Sequence, residues 1–341
     1  MPTRRRGAVK HGPSMADVAA LAGVSSQTVS RVSTGSQRVR PDTRQRVLEA
    51  MRQLGYSPNV AARALRSASY GTIGVIAHQL ARTGESRTVE AVVEGAREQG
   101  YTTTLIDVET PSAGDVSAAV QRLSHQAIDG LIIIRAETAT PTALALPPHL
   151  PVAVADSRFV GHHPAVGADQ VAGTEAAVRH LLELGHPTVH HLAGPDDSGP
   201  AKIRSQQWRR TLTAAGRPTP AELRGDWTAR SGYQVGARLA ADPTVTAVFA
   251  ANDEMATGLL RALHERGRAV PDEVSVVGFD DIPTAEFLWP PLTTVCQDFT
   301  TIGQELVQLV IRQARGEELP DHRTVVPGDL IVRASTGPPP A

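Results

Sequence analysis

The chain has 341 residues, of which 41 % are hydrophobic and 20 % charged, so it is long enough for two or three domains and has the balance of a soluble protein. Its single cysteine, Cys296, excludes a disulfide framework and a zinc site of the Cys-x-x-Cys kind. No apolar run approaches the roughly 20 residues that span a bilayer, and no apolar segment follows the basic N-terminus as in a secretory signal. We therefore expect a cytoplasmic protein.

The charge is divided unevenly along the chain. Residues 1–70 hold 12 Lys and Arg against 3 Asp and Glu, and the remaining residues hold 22 against 32. A small basic segment joined to a larger acidic one is typical of a module that binds a polyanion. A solvated basic tail is the commoner cause of such a charge run, but here the arginines are interleaved with a helical apolar pattern.

Three short helices are predicted in the basic segment. Ser14 and Asp17 form a capping box that begins the first helix, and Gly23 ends it. Ser25 caps a second helix, and a third runs from about Pro41 to Leu54. Two short helices separated by a glycine turn are the helix-turn-helix pattern of many DNA-binding proteins.

The second helix presents short polar side chains where a recognition helix meets base edges in the major groove. Gln27 can pair bidentately with adenine, and Arg31 with guanine. An ordinary three-helix domain with a polar face is the alternative interpretation. The pattern of residues 59–66 predicts a further helix. This helix is too short to be stable alone in water, so it would form only against a partner or DNA.

From Gly71 onward, short β-branched runs alternate with helical stretches, which predicts an α/β fold with parallel sheets. Strands are predicted near residues 73–76, 104–106, 131–134, 152–154, 189–192, 248–250 and 274–279. Helices are predicted near residues 89–100, 116–127, 173–185, 232–241 and 253–267. The length of this part suggests two lobes with a cleft between them. In open α/β sheets ligands lie beyond the carboxyl ends of the strands, which selects Asp156, Asn252 and Asp280.

The motifs of the basic segment, Asp17–Ser25, Thr28–Val32 and Leu54–Asn59, resemble the DNA-binding head of the lactose-repressor (LacI/GalR) family. The resemblance implies a homodimer on a near-palindromic double-stranded DNA operator, with paired hinge helices in the minor groove and Leu65 as a wedge between base steps. The DNA contacts that it implies are Ser14, Ser25, Ser26, Gln27, Thr28, Ser30, Arg31, Asn59, Ala62 and Leu65.

The rest of the chain resembles the periplasmic-binding-protein-like effector domain of the same family. The matching motifs are Ala193–Pro195, Gly225–Trp227, Ala251–Asp253, Val276–Asp281 and Pro290–Thr294. The resemblance implies a small sugar effector, with a β-galactoside as first choice. Carboxylates and a guanidinium would bind its hydroxyls, and aromatic faces would cover the ring. The implied effector residues are His78, Arg82, Asp156, Arg204, Trp227, Asn252, Asp280, Gln297 and Phe299.

Two residues at the outer end of the implied effector site, His78 and Arg82, leave the identity of the effector undecided. They align with a serine and a leucine of lactose-responsive members, which predicts a more polar and basic subsite for a larger, anionic or phosphorylated sugar. Purine-responsive and co-repressed members of the family are further alternatives, in which the ligand tightens DNA binding. We prefer induction, because the pocket has the composition of a site for hydroxyl-rich sugars.

The predicted architecture is an all-α head followed by an α/β body of two parallel-sheet lobes. Its divisions are a basic arm at 1–12, the helix-turn-helix domain at 13–58, a hinge helix and linker at 59–70, the effector-binding and dimerisation domain at 71–335, and a tail at 336–341. Lobe one takes about 71–168 and 299–326, and lobe two about 169–298 and 327–335. No leucine heptad follows, so we expect a dimer without a tetramerising tail.

Two other classes compete with a regulator. The body alone would suit a cytoplasmic sugar-binding protein or a sugar-processing enzyme. Adjacent carboxylates such as Asp280 and Asp281 are weak evidence for an acid–base pair. The adjacent histidines His190 and His191 lie on a predicted strand and point to opposite faces, so they make no chelate. We expect no catalysis, no metal and no cofactor.

Overall fold

A computed structural model describes residues 13–33, 36, 38–56, 69–108, 113–124, 128–134, 149–155, 163–319 and 322–340. The chain divides into two compact units, residues 1–70 and residues 71–341. Among the residues so described, no helix has the length and apolar character needed to cross a membrane.

The first unit contains the three predicted helices. They are α1 (Met15–Ala22), α2 (Ser26–Ser33) and α3 (Pro41–Leu54). The capping box of Ser14 and Asp17 is present at the start of α1. Val18, Val29 and Val47 come one from each helix and are fully buried, so a shared apolar core holds the three helices together.

The second unit alternates strands and helices. Its strands are β1 (Thr72–His78), β2 (Thr102–Val108), β3 (Gly130–Ile134), β4 (Val152–Ala155), β5 (Ala165–Ala168), β6 (His190–Ala193), β7 (Leu223–Arg224), β8 (Ala247–Ala250), β9 (Ser275–Asp280), β10 (Thr293–Cys296), β11 (Arg323–Val326) and β12 (Leu330–Ile331). Its helices are α4 (Thr83–Glu98), α5 (Ala113–Ser124), α6 (Gln170–Glu183), α7 (Gly199–Ala214), α8 (Ala229–Ala241), α9 (Asp253–Glu265) and α10 (Phe299–Ala314).

The strands form two sheets, one for each lobe. Lobe one has the strand order β11-β5-β4-β3-β1-β2, and all its pairs are parallel. Lobe two has the order β12-β10-β9-β8-β6-β7, with only β12 antiparallel to its neighbour. The chain passes between the lobes after β5, after β10 and after β11. The predicted two-lobed α/β body is confirmed.

Helices α8 and α9 approach each other closely in lobe two. A Cβ atom on Gly258 would collide with the backbone of Ala229, and one on Gly232 would collide with the backbone of Met255. Glycine at both positions therefore lets the two backbones meet. The contact places the residues that precede α8 beside the first turn of α9, and both groups face the cleft described below.

All seven predicted strand runs fall on strands of the structure, but the prediction lacks the short strands β5, β7, β10, β11 and β12 and the helices α7 and α10. Helix α7 buries Arg204, Ser205 and Gln207 alongside Trp208, so its buried face does not read as an apolar stripe. Helix α10 has a plain amphipathic pattern that the prediction overlooks. The predicted helices near 89, 116, 173 and 232 begin three to six residues earlier in the structure, because their first turns are polar or small.

Candidate effector site and nucleic-acid interface

The surface of α2 carries the polar side chains that the sequence singles out for DNA. The amide of Thr28 donates to Oγ of Ser25 at 3.2 Å, which caps the helix. Ser26, Gln27 and Arg31 are exposed, while the valines of α2 are buried. Thr28 and Ser30 are partly buried, and Ser14 is exposed at the start of α1. An amphipathic helix of this kind can present its polar face to a DNA groove.

Four of the predicted contact residues lie outside the described part of the chain. They are Asn59, Ala62 and Leu65 of the predicted hinge, and Asp156 of the predicted effector site. The predicted basic arm at 1–12 and most of the predicted hinge segment at 59–70 also lie outside it.

A cleft of about 650 Å³ lies between the two lobes, at the carboxyl ends of β1, β7, β8 and β9. We call it the interlobe cleft. Lobe one lines it with the segment Gln79–Glu85, which includes Arg82. Lobe two contributes Arg204, the segment Asp226–Ala229, Asn252, Glu254 and Asp280. Five of the predicted effector residues therefore meet in one cleft.

Arg204 organises the floor of this cleft. Its side chain is only 2 % exposed, and its guanidinium lies over the ring of Phe279 at 3.6 Å from the centroid. Nε donates to Oε1 of Gln170 at 2.7 Å, Nη1 donates to the carbonyl of Ala251, and Nη2 lies 3.6 Å from Oδ1 of Asp280. The pairing with Asp280 compensates for the burial of both charges.

Asp280 is held from a second side by Gln297. Nε2 of Gln297 donates to Oδ1 of Asp280, and Nε2 of Gln170 donates to Oε1 of Gln297 at 3.0 Å. Asp280 itself has a φ of 116°, a strained value for a residue with a side chain. The hydrogen bonds of this buried network stabilise Asp280 in its strained backbone conformation. Such an arrangement is typical of a site in which the orientation of one carboxylate matters for function.

Asn252 and Trp227 form the wall that follows β8. Oδ1 of Asn252 accepts the amide of Met255 at 3.1 Å, and Nδ2 donates to the carbonyl of Trp227 at 3.0 Å. The Trp227 ring lies against Gly194, where a Cβ atom would collide with it. Trp227 has a φ of 76°, and within the described residues its buried Nε1–H has no acceptor. The ring is thereby presented to the cleft as a fixed apolar face.

Glu254 is a cleft residue that the sequence analysis missed. Burial, then the negative charges of Asp280 and Glu85, raise its pKa from 4.5 to about 7, against the opposing effect of Arg204. Oε2 accepts from Nδ2 of Asn252 at 2.7 Å, and Oε1 accepts from the hydroxyl of Thr83. The signal was available, because Glu254 follows β8 two residues after Asn252 and the strand-end rule applies to it equally.

Gln297 and Phe299 line a second cavity that adjoins the interlobe cleft at Gly84. The guanidinium of Arg87 lies 5.6 Å from the centroid of the Phe299 ring. His78 is not among the described residues that line either cavity. Its ring is buried with Nδ1 at 3.0 Å from the carbonyl of Val108, so it packs against β2 instead.

In the described ranges, no group of three His, Cys, Asp or Glu side chains is arranged to hold a metal ion. His191 is fully buried and stacks on Phe249 at 4.9 Å between ring centroids, and burial lowers its pKa to about 3. It is a neutral core histidine.

Comparison with known sequences gives the family. Residues 14–59 match the bacterial regulatory proteins of the lacI family, and residues 178–336 match a periplasmic binding protein-like domain. The lactose operon repressor of Escherichia coli K12 is 35 % identical over 326 residues, covering 94 % of this chain and 89 % of that protein. The regulator CelR of Thermobifida fusca is 34 % identical over 98 % of this chain and 100 % of its own length. The ribose operon repressor of E. coli K12 is 30 % identical over 94 % of this chain and 99 % of its own.

Comparison with solved structures leads to the same family as the comparison of sequences. The lac repressor dimer bound to operator and the anti-inducer ONPF has a TM-score of 0.83 at 34 % identity, covering 96 % of this chain and 100 % of that one. The complex of CelR with cellobiose has a TM-score of 0.69 at 31 % identity, covering 95 % of this chain and 99 % of that one. A helix-turn-helix head on a periplasmic-binding-protein-like body defines a DNA-binding transcription regulator. The chain belongs to the LacI family of transcriptional repressors.

Proposed function

We propose that this repressor acts as a homodimer on a near-palindromic operator and is released from it by a neutral sugar bound in the interlobe cleft. The observation that carries the proposal is the network of Arg204, Asp280 and Gln297, which fixes the carboxylate at the end of β9 beside the guanidinium from α7 in the interlobe cleft. Such a pair can accept from and donate to the neighbouring hydroxyls of a sugar. The proposed place of action is the cytoplasm, where the operator DNA is.

The charges of the cleft favour a neutral sugar over a sugar phosphate. Arg204 is engaged by Asp280 and by two oxygen acceptors, and Arg82 lies 3.8 Å from the buried carboxylate of Glu85. Glu254 adds a further carboxyl group to the same surface. His78, whose ring would have strengthened a basic subsite, packs against β2. Among the cleft residues that the structure describes, an incoming phosphate would meet acidic groups without a spare cation to match them.

A galactoside is the first sugar to test. The lactose operon repressor of E. coli is the relative that supports it, but the ribose operon repressor and CelR, solved in complex with cellobiose, match the chain almost as well. We therefore place ribose and β-glucosides beside galactosides. Release by the sugar requires that the sugar binds the operator-free arrangement of the lobes more tightly than the operator-bound one.

Operator binding by the purified protein, measured by fluorescence anisotropy at fixed salt, tests this proposal. The DNA is the region upstream of the protein's own gene, and the panel contains lactose, other galactosides, cellobiose, ribose, their phosphates and purines. We expect one neutral sugar to release the DNA and to be recovered unchanged. Asp280→Asn should abolish the response and leave sugar-free operator binding intact. Release by a sugar phosphate alone, or tighter DNA binding with ligand, would contradict the proposal.

A further inference from the structure

The hydrogen bond between Thr83 and Glu254 crosses the interlobe cleft. Thr83 is the first residue of α4 in lobe one, and Glu254 lies in the first turn of α9 in lobe two. The hydroxyl of Thr83 donates to Oε1 of Glu254. Both residues also line the cleft, so a ligand that fills it meets this bond.

The position of the Glu254 carboxylate is set by lobe two. Its Oε2 accepts from Nδ2 of Asn252 at 2.7 Å, and Oδ1 of Asn252 is fixed in turn by the amide of Met255 at 3.1 Å. Oε1 is therefore directed toward lobe one, where it accepts from Thr83. Separating the lobes would leave this oxygen in place facing the cleft without its protein donor, and a hydroxyl of a bound ligand could replace that donor.

The donor that Glu254 now has is chemically similar to a sugar. The threonine hydroxyl is a secondary alcohol, as are most ring hydroxyls of a sugar. The surroundings also favour a neutral donor, because the carboxylates of Asp280 and Glu85 act on Glu254 more strongly in sum than the cation of Arg204. An anionic group at this place would add repulsion to an acidic site.

We propose that Thr83 occupies the place of an effector hydroxyl on Glu254, so that Glu254 determines specificity for neutral sugars and the sugar breaks a link between the lobes when it binds. This inference rests on the proposed sugar-responsive function. Because Oε1 bonds either Thr83 or the sugar, the two compete. Removing each partner of the same bond then has opposite effects on sugar affinity, which a purely structural role would not produce.

The test compares Thr83→Val, Thr83→Ser and Glu254→Met, with sugar binding measured by calorimetry for the neutral panel above. Thr83→Val removes the competing hydroxyl but keeps the branched shape, and we expect it to tighten binding about three- to tenfold. Thr83→Ser keeps the hydroxyl and should bind as the wild type does. Glu254→Met keeps the length of the side chain but removes the acceptor, and it should weaken binding about tenfold or more.

A second readout needs no sugar. The protein carries Cys296→Ser and two new cysteines for spin labels, at Gln99 in lobe one and Arg217 in lobe two, both exposed positions. In dimers with one labelled protomer, the two labels report the distance between the lobes. Thr83→Val should broaden or lengthen this distance distribution, and Thr83→Ser should not. Shifts of sugar affinity in the same direction for Thr83→Val and Glu254→Met would overturn the proposal. If no sugar binds any of the proteins, the proposal of a sugar effector is wrong. If the distance between the lobes is also unchanged in Thr83→Val, the proposed link between Thr83 and Glu254 is overturned as well.

Discussion

The hydroxyl of Thr294 in β10 donates a 2.6 Å hydrogen bond to Oδ1 of Asp253 at the start of α9, across the end of β9. The other carboxylate oxygen accepts the amide of Ile282 at 2.9 Å. These two bonds hold the turn after β9, at which the strained Asp280 stands. Asp253 is therefore a positioning residue for Asp280, whereas its neighbour Asn252 caps α9.

Asp253→Ala should destabilise the body and weaken sugar binding together. The variant leaves the Ile282 amide and the Thr294 hydroxyl unpaired in a buried place, and we expect a loss of about 2–4 kcal/mol in the free energy of unfolding. Urea unfolding followed by circular dichroism measures it. Asp253→Asn is the matched control, since the Thr294 hydroxyl can accept as well as donate and both bonds can persist. Equal stability of Asp253→Ala and wild type would refute the role given to Asp253.

Glu254 makes the stability of the body depend on pH near neutrality. Its pKa is about 7 in the folded protein against an ordinary 4.5, so the folded state binds this proton more tightly than the unfolded state. The stabilisation is fully present below pH 4.5 and is lost as the pH rises through 7, by about 3 kcal/mol. Glu254→Gln removes this dependence and can keep both hydrogen bonds. We expect the Gln variant to gain melting temperature over wild type at pH 8 and to match it at pH 5.

The control variant is Glu94→Gln on the exposed face of α4, and its melting temperature should depend on pH in the same way as that of wild type. The pKa of Asp253 is also raised by burial and by Asp280, and it acts in the same direction, but Asp253 is present in all three proteins. Parallel profiles for wild type and Glu254→Gln would show that Glu254 does not titrate in this range.

Sequence reasoning found seven of the twelve strands in the described part of the chain and polar residues that follow them, because both depend on local pattern. The strands that it missed have only two to four residues, too few to show a pattern. Asn252 and Asp280 stand at strand ends, so the topology rule selects them without coordinates. Gln170 could not be found in this way. Its role arises only where α6, α7 and the segment after β10 meet, and there it joins Arg204 to Gln297 over long sequence separations. The direction of the His78 ring likewise depends on the neighbouring strand β2.

Two exposed aromatic side chains on lobe two predict the dimer contact. Phe287 is 79 % exposed and Trp289 is 94 % exposed, in the segment between β9 and β10. Neighbouring apolar side chains with this exposure are typical of an interaction surface. We expect Trp289→Asp to weaken dimerisation about 100-fold or more, measured by sedimentation equilibrium. Val332→Asp, at an exposed apolar position elsewhere on the lobe, is the control. A Trp289→Asp protein that remains fully dimeric would exclude this surface.

Gln27 should contribute to operator sequence selectivity more than to general DNA affinity. Gln27→Ala removes a side chain able to pair with one base, which is worth about 1–3 kcal/mol on the preferred operator and little on unrelated DNA. Anisotropy titrations on both DNAs at two salt concentrations measure this difference. Gln53→Ala, at an exposed position of α3, is the matched control. Equal losses on both DNAs would mean that Gln27 reads no base.

We infer that the operator and the sugar favour different arrangements of the two lobes, so that each weakens binding of the other. Measuring both effects on affinity tests this inference most directly. The affinity of the releasing sugar is measured by calorimetry for the free protein and for the protein saturated with operator, and the operator affinity is measured with and without the sugar. Thermodynamic linkage requires the same factor in both directions, and we expect the sugar to bind operator-bound protein about 5- to 150-fold more weakly. Equal sugar affinity in both states, or tighter binding to the operator complex, would contradict the account.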